Sequence, residues 1–341
     1  MTLPTPSRPL DSAVITLLKQ YRRELDGMDS ALMEQMAKRW LLVENGLASD
    51  IAALAFEFER RAAAGEVITQ QMVWRAERYQ ILKSQLQEQV KTYNKTYAVD
   101  AIEAAQKQFF EVGIESAQAG IFASFDGVGM VPSFGRVNKS AVESMIGFAK
   151  DGTPLSKLLE NDYPDAVDGL TQALVNGLAR GLGPGQIAKN MSDGMGMGID
   201  RALLIARTEA ARAYRTASTE QYRESGVVTG FMRLVKKETA CIACLLLDGE
   251  RLEIESELDD HPRGKCMLIA IIPGANLPQW EHGKEWLLNQ SAPRQQEIIG
   301  SARYQLWQDG QINLTDMVSK THDPTWGSAP KIVPIMDLVS R

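Results

Sequence analysis

Cys241-Ile-Ala-Cys244, then Asp248-Gly249, then His261-Pro-Arg-Gly-Lys-Cys266 is the stretch from which the rest of this chain is read. It gathers all three cysteines and one of the three histidines of a 341-residue protein into 26 positions. As spacing it is C-x2-C, sixteen residues, H-x4-C. A turn that holds two sulfurs, with a histidine and a third cysteine returning from a later strand, provides four ligands for a tetrahedral ion. Thiolates and a neutral imidazole suit zinc, and four protein ligands leave no position open for catalysis. The expected role of zinc at Cys241, Cys244, His261 and Cys266 is therefore structural, a clip on a sheet too thin to hold itself. The bland alternative makes the cysteines buried small residues and His261 an ordinary loop residue.

Around this window the hydrophobic period is that of strands. Residues 227–235 read as one strand, the C-x2-C as a turn, 251–254 as a returning strand and 266–272 as a third, stopped by Pro273-Gly274. The tail from about Pro278 carries Trp280, Trp286, Trp307 and Trp326, and so many large rings should pack against something. His282 and His322 read as surface residues.

Upstream the pattern is helical. Ala206-Arg207-Thr208-Glu209 lies on a helix expected to be capped by Asp200, after a flexible turn at Gly194-Met-Gly-Met-Gly198. Arg207 and Glu209, two apart, face different sides and cannot pair with each other. Arg207 borders a small-residue seam of Leu203, Ala206, Ala210, Ala213, Tyr214 and Ala217, where an ion pair or a carbonyl clamp to a neighbouring element is expected. Gly181-Leu-Gly-Pro-Gly185 ends one helix and begins another, with Pro184 suited to a first turn. Shorter helices are expected near 139–150, 153–161 and 164–182. A loop follows Phe125 among Gly113, Gly120, Gly127, Gly129 and Gly135, without the Gly-Lys-Ser/Thr ending of a phosphate-binding loop.

From Leu10 to about Phe125 apolar residues recur three and four apart, first at Val14, Leu17, Leu18, Tyr21, Leu25, Met28, Leu32 and Met36. A second run covers 30–64. A third, capped by Thr69, has the stripe Met72, Tyr79, Leu82, Leu86, Val90, Tyr93 and Tyr97, and would be on the order of 60 Å long. These helices read as a bundle, or as an elongated arm that docks on a larger assembly. Residues 1–9, with three prolines, read as a mobile arm. The expected organisation is that arm, a long-helix region over 10–135, a helical core over 136–225, a small β module over 226–275 and a tail over 276–341. The fold class is mainly α with a small antiparallel β element (α+β).

Composition narrows the function. With 37 basic and 43 acidic residues the net charge is −6, which disfavours coating of nucleic acid over a broad surface. No apolar run is long enough for a bilayer, the first residues lack a secretory signal, and three cysteines make no disulfide framework, so a reducing cytoplasm is expected. Asp259-Asp260-His261 beside cysteine pairs resembles HNH-type nucleases, in which a histidine activates water next to a metal-held phosphate. No second histidine and asparagine follow at useful spacing, and His261 cannot be both base and zinc ligand. No enzyme is expected.

The order Ala206-Arg207-Thr208-Glu209, a helix through Tyr222, Gly226-Val, a strand, Cys241-x-x-Cys244, Leu247-Asp248-Gly249 and His261-Pro262 ending in Cys266 resembles the phage head-morphogenesis family, minor head proteins similar to the F protein of phage Mu. The family usually shows His-Pro-x-Cys-Arg-Cys at the last element. Here Gly264 stands at the first of those cysteines, which removes one sulfur, and Lys265-Cys266 matches the Arg-Cys. The tail, Gln295-Gln-Glu-Ile-Ile-Gly300-x-x-Arg303 with Trp307-x-x-Gly310, also resembles the family, so that the likeness covers roughly 165–320. It implies a minor capsid protein of a tailed phage or prophage virion, in the head interior or at the portal vertex, made in the host cytoplasm. Its implied partners are the portal protein, the major capsid or scaffold protein and packaged DNA, with no membrane. The alternatives are a metal-dependent nuclease or toxin-like enzyme attached to head machinery, and a cytoplasmic zinc-containing adaptor.

Overall fold

The computed structural model describes residues 11–125 and 144–339. The arm over 1–9, the glycines at 127, 129 and 135 and the first part of the helix expected near 139–150 lie outside these residues. The helices, in chain order, are α1 (Ala13–Ala63), α2 (Gln70–Arg75), α3 (Glu77–Tyr93), α4 (Val99–Ser124), α5 (Leu155–Leu158), α6 (Asp162–Ala179), α7 (Pro184–Glu224), α8 (Ile242–Leu246), α9 (Gly283–Leu288), α10 (Ala292–Ile299), α11 (Ser301–Gln308) and α12 (Ile335–Val339). The strands are β1 (Gly230–Leu234), β2 (Arg251–Glu253), β3 (Met267–Ile271), β4 (Val318–Asp323) and β5 (Gly327–Ile332). The chain is thus mainly helical with small antiparallel sheets, as the sequence predicts. Among the described residues no helix is long and apolar enough to cross a membrane.

The contacts divide into two compact units. One comprises Met28–Ala105 and Thr153–Glu209, the other Met1–Gly27, Gln106–Gly152 and Ala210–Arg341. In the first, the three-four spacing does what it predicts. Met36, Trp40, Val43, Leu47, Ile51, Leu54 and Phe58 of α1 are buried, as are Tyr79, Leu82, Leu86, Val90 and Tyr93 of α3. The Tyr93 ring meets Trp40 edge-on at 5.1 Å, and its hydroxyl donates to the Met36 carbonyl at 3.3 Å.

Two expectations are corrected here. The helix capped by Thr69, whose Oγ1 does accept from the Met72 amide at 3.3 Å, breaks at Ala76, where φ is −69° and ψ 130°. In an unbroken helix Val73 and Tyr79 would lie about 120° apart around the axis. The break puts both in the interior, and Val73 rather than Met72 is buried. Residues 94–98 then form one π turn before α4.

The second correction concerns Gly194-Met-Gly-Met-Gly198, which is no turn but the middle of the 41-residue α7, so Asp200 caps nothing. Each helical glycine costs about 1 kcal/mol relative to alanine. The reason it is tolerated lies in the crossing with α6. A Cβ on Gly194 would sit 2.4 Å from the Gly169 carbonyl oxygen, and one on Gly169 would sit 1.9 Å from that of Gly194. The two backbones touch there, while Met191, Met195 and Ile199 carry the apolar stripe through the same turns. Pro184 does open α7, and α6 ends where expected, with Leu182 N–H returning to the Gly177 carbonyl at 3.0 Å.

The second unit holds a three-stranded sheet of order β2-β1-β3, antiparallel throughout, with Phe231 opposite Leu252 on one side and Ala270 on the other. All five residues of the central β1 are buried. Tyr222, at the end of α7, packs on Phe231 and donates to the Leu268 carbonyl at 3.2 Å. The tail adds a β4-β5 hairpin that the sequence reading leaves unassigned. Its apolar residues, with Leu287, Ile299, Leu314, Met317 and Val333 at the centre, pack on Ile242 and Leu245 of α8.

Candidate metal centre

The site is built on the short link between β1 and β2. After β1 the chain turns at Lys236, whose carbonyl accepts from Thr239 and Ala240, and delivers Cys241 to the N-cap of α8. There its sulfur accepts from the Cys244 amide at 3.4 Å, so the C-x2-C occupies a helix start rather than a free turn. Asp248 and Gly249 end the link. Asp248 is buried and accepts from the Val235 amide at 2.8 Å and the Trp280 indole at 3.1 Å. Burial pushes its carboxyl above the ordinary range. Gly249 has φ 86°, and a Cβ there would strike the His282 ring at 1.9 Å. That ring stacks on Trp280, centroids 4.4 Å apart, and its Nδ1 lies 3.2 Å from the Asp248 carbonyl. His282 is therefore a packed part of this hub and not the surface residue expected, whereas His322 is exposed.

The second pair of donors comes from the loop before β3. Cys241 Sγ lies 3.3 Å from His261 Nε2. His261 Nδ1 is 2.9 Å from the Pro262 carbonyl, which can only accept, so Nδ1 carries a proton there and Nε2 is the nitrogen that faces the sulfur. Donor atoms of Cys241, Cys244 and His261 lie within 4.8 Å of one another, and so do those of Cys244, Asp260 and Cys266. The four ligands expected from the sequence are thus brought together around Cys244, but as two triads, with a fifth donor that sequence reasoning read only toward nuclease chemistry. Its signal was present: a carboxylate directly before the histidine of the cluster.

These residues fit zinc. With bonds of about 2.3 Å to sulfur and 2.0–2.1 Å to nitrogen, the edge between two ligands of a tetrahedral ion is about 3.5 Å, close to the sulfur–nitrogen distance observed. The sulfurs are also electrostatically prepared. The Cys244 thiol, donating, and then His261 hold Cys241 down to about 4. Cys266 is lowered by the same Cys244 thiol, with the nearby Arg233 guanidinium assisting against burial. Cys244 itself is raised by its two sulfur neighbours, and Cys241 pushes His261 up to about 9. A proton shared along a row of sulfurs is what a cation would displace.

Arginines complete the surroundings. Arg233 of β1, only 1% exposed, binds Glu250 and the Asp259 carbonyl, each at 3.0 Å. Arg215 of α7 reaches Asp260 Oδ2 and the Gly264 carbonyl, each at 3.1 Å. Periodicity alone does not reveal either partner.

The Arg-Thr-Glu motif belongs to the other unit. Arg207 Nε stands 3.3 Å from the Asp29 carboxylate, the ion pair the sequence leads one to expect. Thr208 Oγ1 donates to the Leu204 carbonyl at 2.7 Å, and Glu209 is fully buried.

No curated protein and no solved structure matches the chain. The tail residues near 295–310 that took part in the resemblance lie beyond the segment that a family model covers. That segment holds α7, β1, α8, β2 and the whole cysteine-histidine cluster: over residues 168–267 the chain matches the family described as Phage Mu protein F like protein.

Proposed function

We propose that this chain is a minor head protein of a tailed phage or prophage, acting in head assembly by binding and not by catalysis. The observation that carries the reading is the coincidence of the family match over 168–267 with the module that holds the Cys/His cluster. Its partners are the portal protein and the capsid or scaffold shell, with packaged DNA as a further contact. Its place is the head interior or portal vertex of the virion after synthesis in the host cytoplasm. Exposed apolar residues, among them Leu41, Leu42 and Phe56 on α1 and Trp74 on the short α2, supply surface for such binding.

Zinc is proposed at Cys241, Cys244, His261 and Cys266 as a clip between α8 and the strand β3. Bound there, it supplies cross-linking of the small sheet and no reaction step. The buried sulfurs of Cys244 and Cys266, the histidine held by the Pro262 carbonyl and the arginines around them favour a structural centre.

A particle lacking this protein tests the assembly role. Shells should still form, with altered portal-associated protein content or lost infectivity; particles of normal composition and infectivity would sink the proposal. Divalent-dependent DNA cleavage abolished by His261→Ala would replace it with the nuclease.

A further inference from the structure

Asp260 belongs to the second triad around Cys244 and has no part in a clip of three sulfurs and one nitrogen. Its side chain is 1% exposed. Oδ2 is taken by Arg215 at 3.1 Å, while Oδ1 accepts from the His261 amide at 3.0 Å and lies 4.0 Å from Cys244 Sγ. A carboxylate oxygen has two lone pairs, so beside the amide contact Oδ1 turns its second toward the Cys244 thiol, whose proton a bound cation would displace.

The loop is shaped to admit the carboxylate. A Cβ on residue 264 would lie 2.0 Å from Oδ1 and 2.2 Å from Oδ2, so only glycine leaves room for Asp260 against the cluster. Arg263 just before it takes φ 65°, a conformation that costs a non-glycine residue energy. A buried carboxylate beside the sulfurs of Cys244 and Cys266 is unfavourable unless cations answer it. Arg215 answers one oxygen.

We propose that Asp260 Oδ1 is a further ligand of the ion, making a donor set of three sulfurs, one nitrogen and one oxygen. This rests on the metal centre proposed above. The clip is then five-coordinate, with one hard oxygen among soft donors.

Cobalt(II) replacing zinc in the full-length protein tests this, because tetrahedral cobalt absorbs several-fold more strongly in the visible than five-coordinate cobalt. Stoichiometric cobalt with weak visible bands is expected in the wild type. In Asp260→Ala those bands should rise several-fold, while the near-ultraviolet sulfur-to-cobalt band keeps its intensity. Full tetrahedral intensity in the wild type overturns the Asp260 ligand and leaves the metal centre standing. Failure to bind cobalt or zinc stoichiometrically overturns both. Arg215→Ala breaks the ion pair but keeps the carboxylate, so its bands should stay weak; a rise matching Asp260→Ala would show that Asp260 acts through the pair and not as a ligand. The wild-type spectrum decides the matter even if a variant does not fold.

Discussion

The unit of residues 28–105 and 153–209 and the cysteine-histidine module both bury their key residues, but with opposite materials. In the former the interior is Trp40, Phe58, Leu82 and their neighbours, each repeating at helical spacing, and stability is spread over many interchangeable apolar contacts. In the latter the buried groups are the Cys244 and Cys266 thiols, the Asp260 carboxylate, Arg233 and Asp248, each with a named partner, beside the half-buried Arg215 and Cys241. Apolar packing loses stability gradually as residues are removed, whereas a partnered polar centre leaves unsatisfied charge behind when one member goes.

The most damaging change should be at the sulfur common to both triads. Cys244→Ser, or removal of metal by a strong chelator, should destabilise the module by on the order of 5 kcal/mol, since metal affinity there is folding free energy. Calorimetry on the full chain, with zinc content by elemental analysis, measures it; chelation that leaves the melting profile unaltered would remove the metal from the comparison. Trp40→Ala should cost about 4 kcal/mol through the cavity it leaves, yet keep zinc stoichiometry, because it packs against Tyr93 within the helical unit and none of the zinc donors belongs to that unit. Loss of zinc in that variant would mean the two regions are not separately built.

Gly194→Leu should cost about 2 kcal/mol or more by forcing α6 and α7 apart, against the gain that helix propensity alone predicts. Denaturant titration gives the sign, and a stabilised variant would contradict the close crossing. The smallest effect is expected at the Arg-Thr-Glu motif. Arg207→Ala should cost about 1 kcal/mol, because the guanidinium that meets Asp29 is partly exposed to water.

By itself the sequence determined the helical half, its stripes, the cap at Thr69, the start at Pro184 and the presence of a sheet around the cysteines. Those signals are periodic or local, and backbone geometry converts them directly into structure. It also determined which sulfurs and which histidine would meet. Only the tertiary structure decided that α7 runs unbroken through three glycines, because the advantage of Gly194 is a contact with a helix 25 positions earlier in the chain. Only the tertiary structure put His282 under Gly249 and brought Arg215 to the loop before β3. The same holds for Asp260: its neighbours Cys244 and Cys266 are near in sequence, but the space it fills exists only because residue 264 has no side chain. Spacing can nominate donors, whereas the room for each donor is made by the chain folded around it.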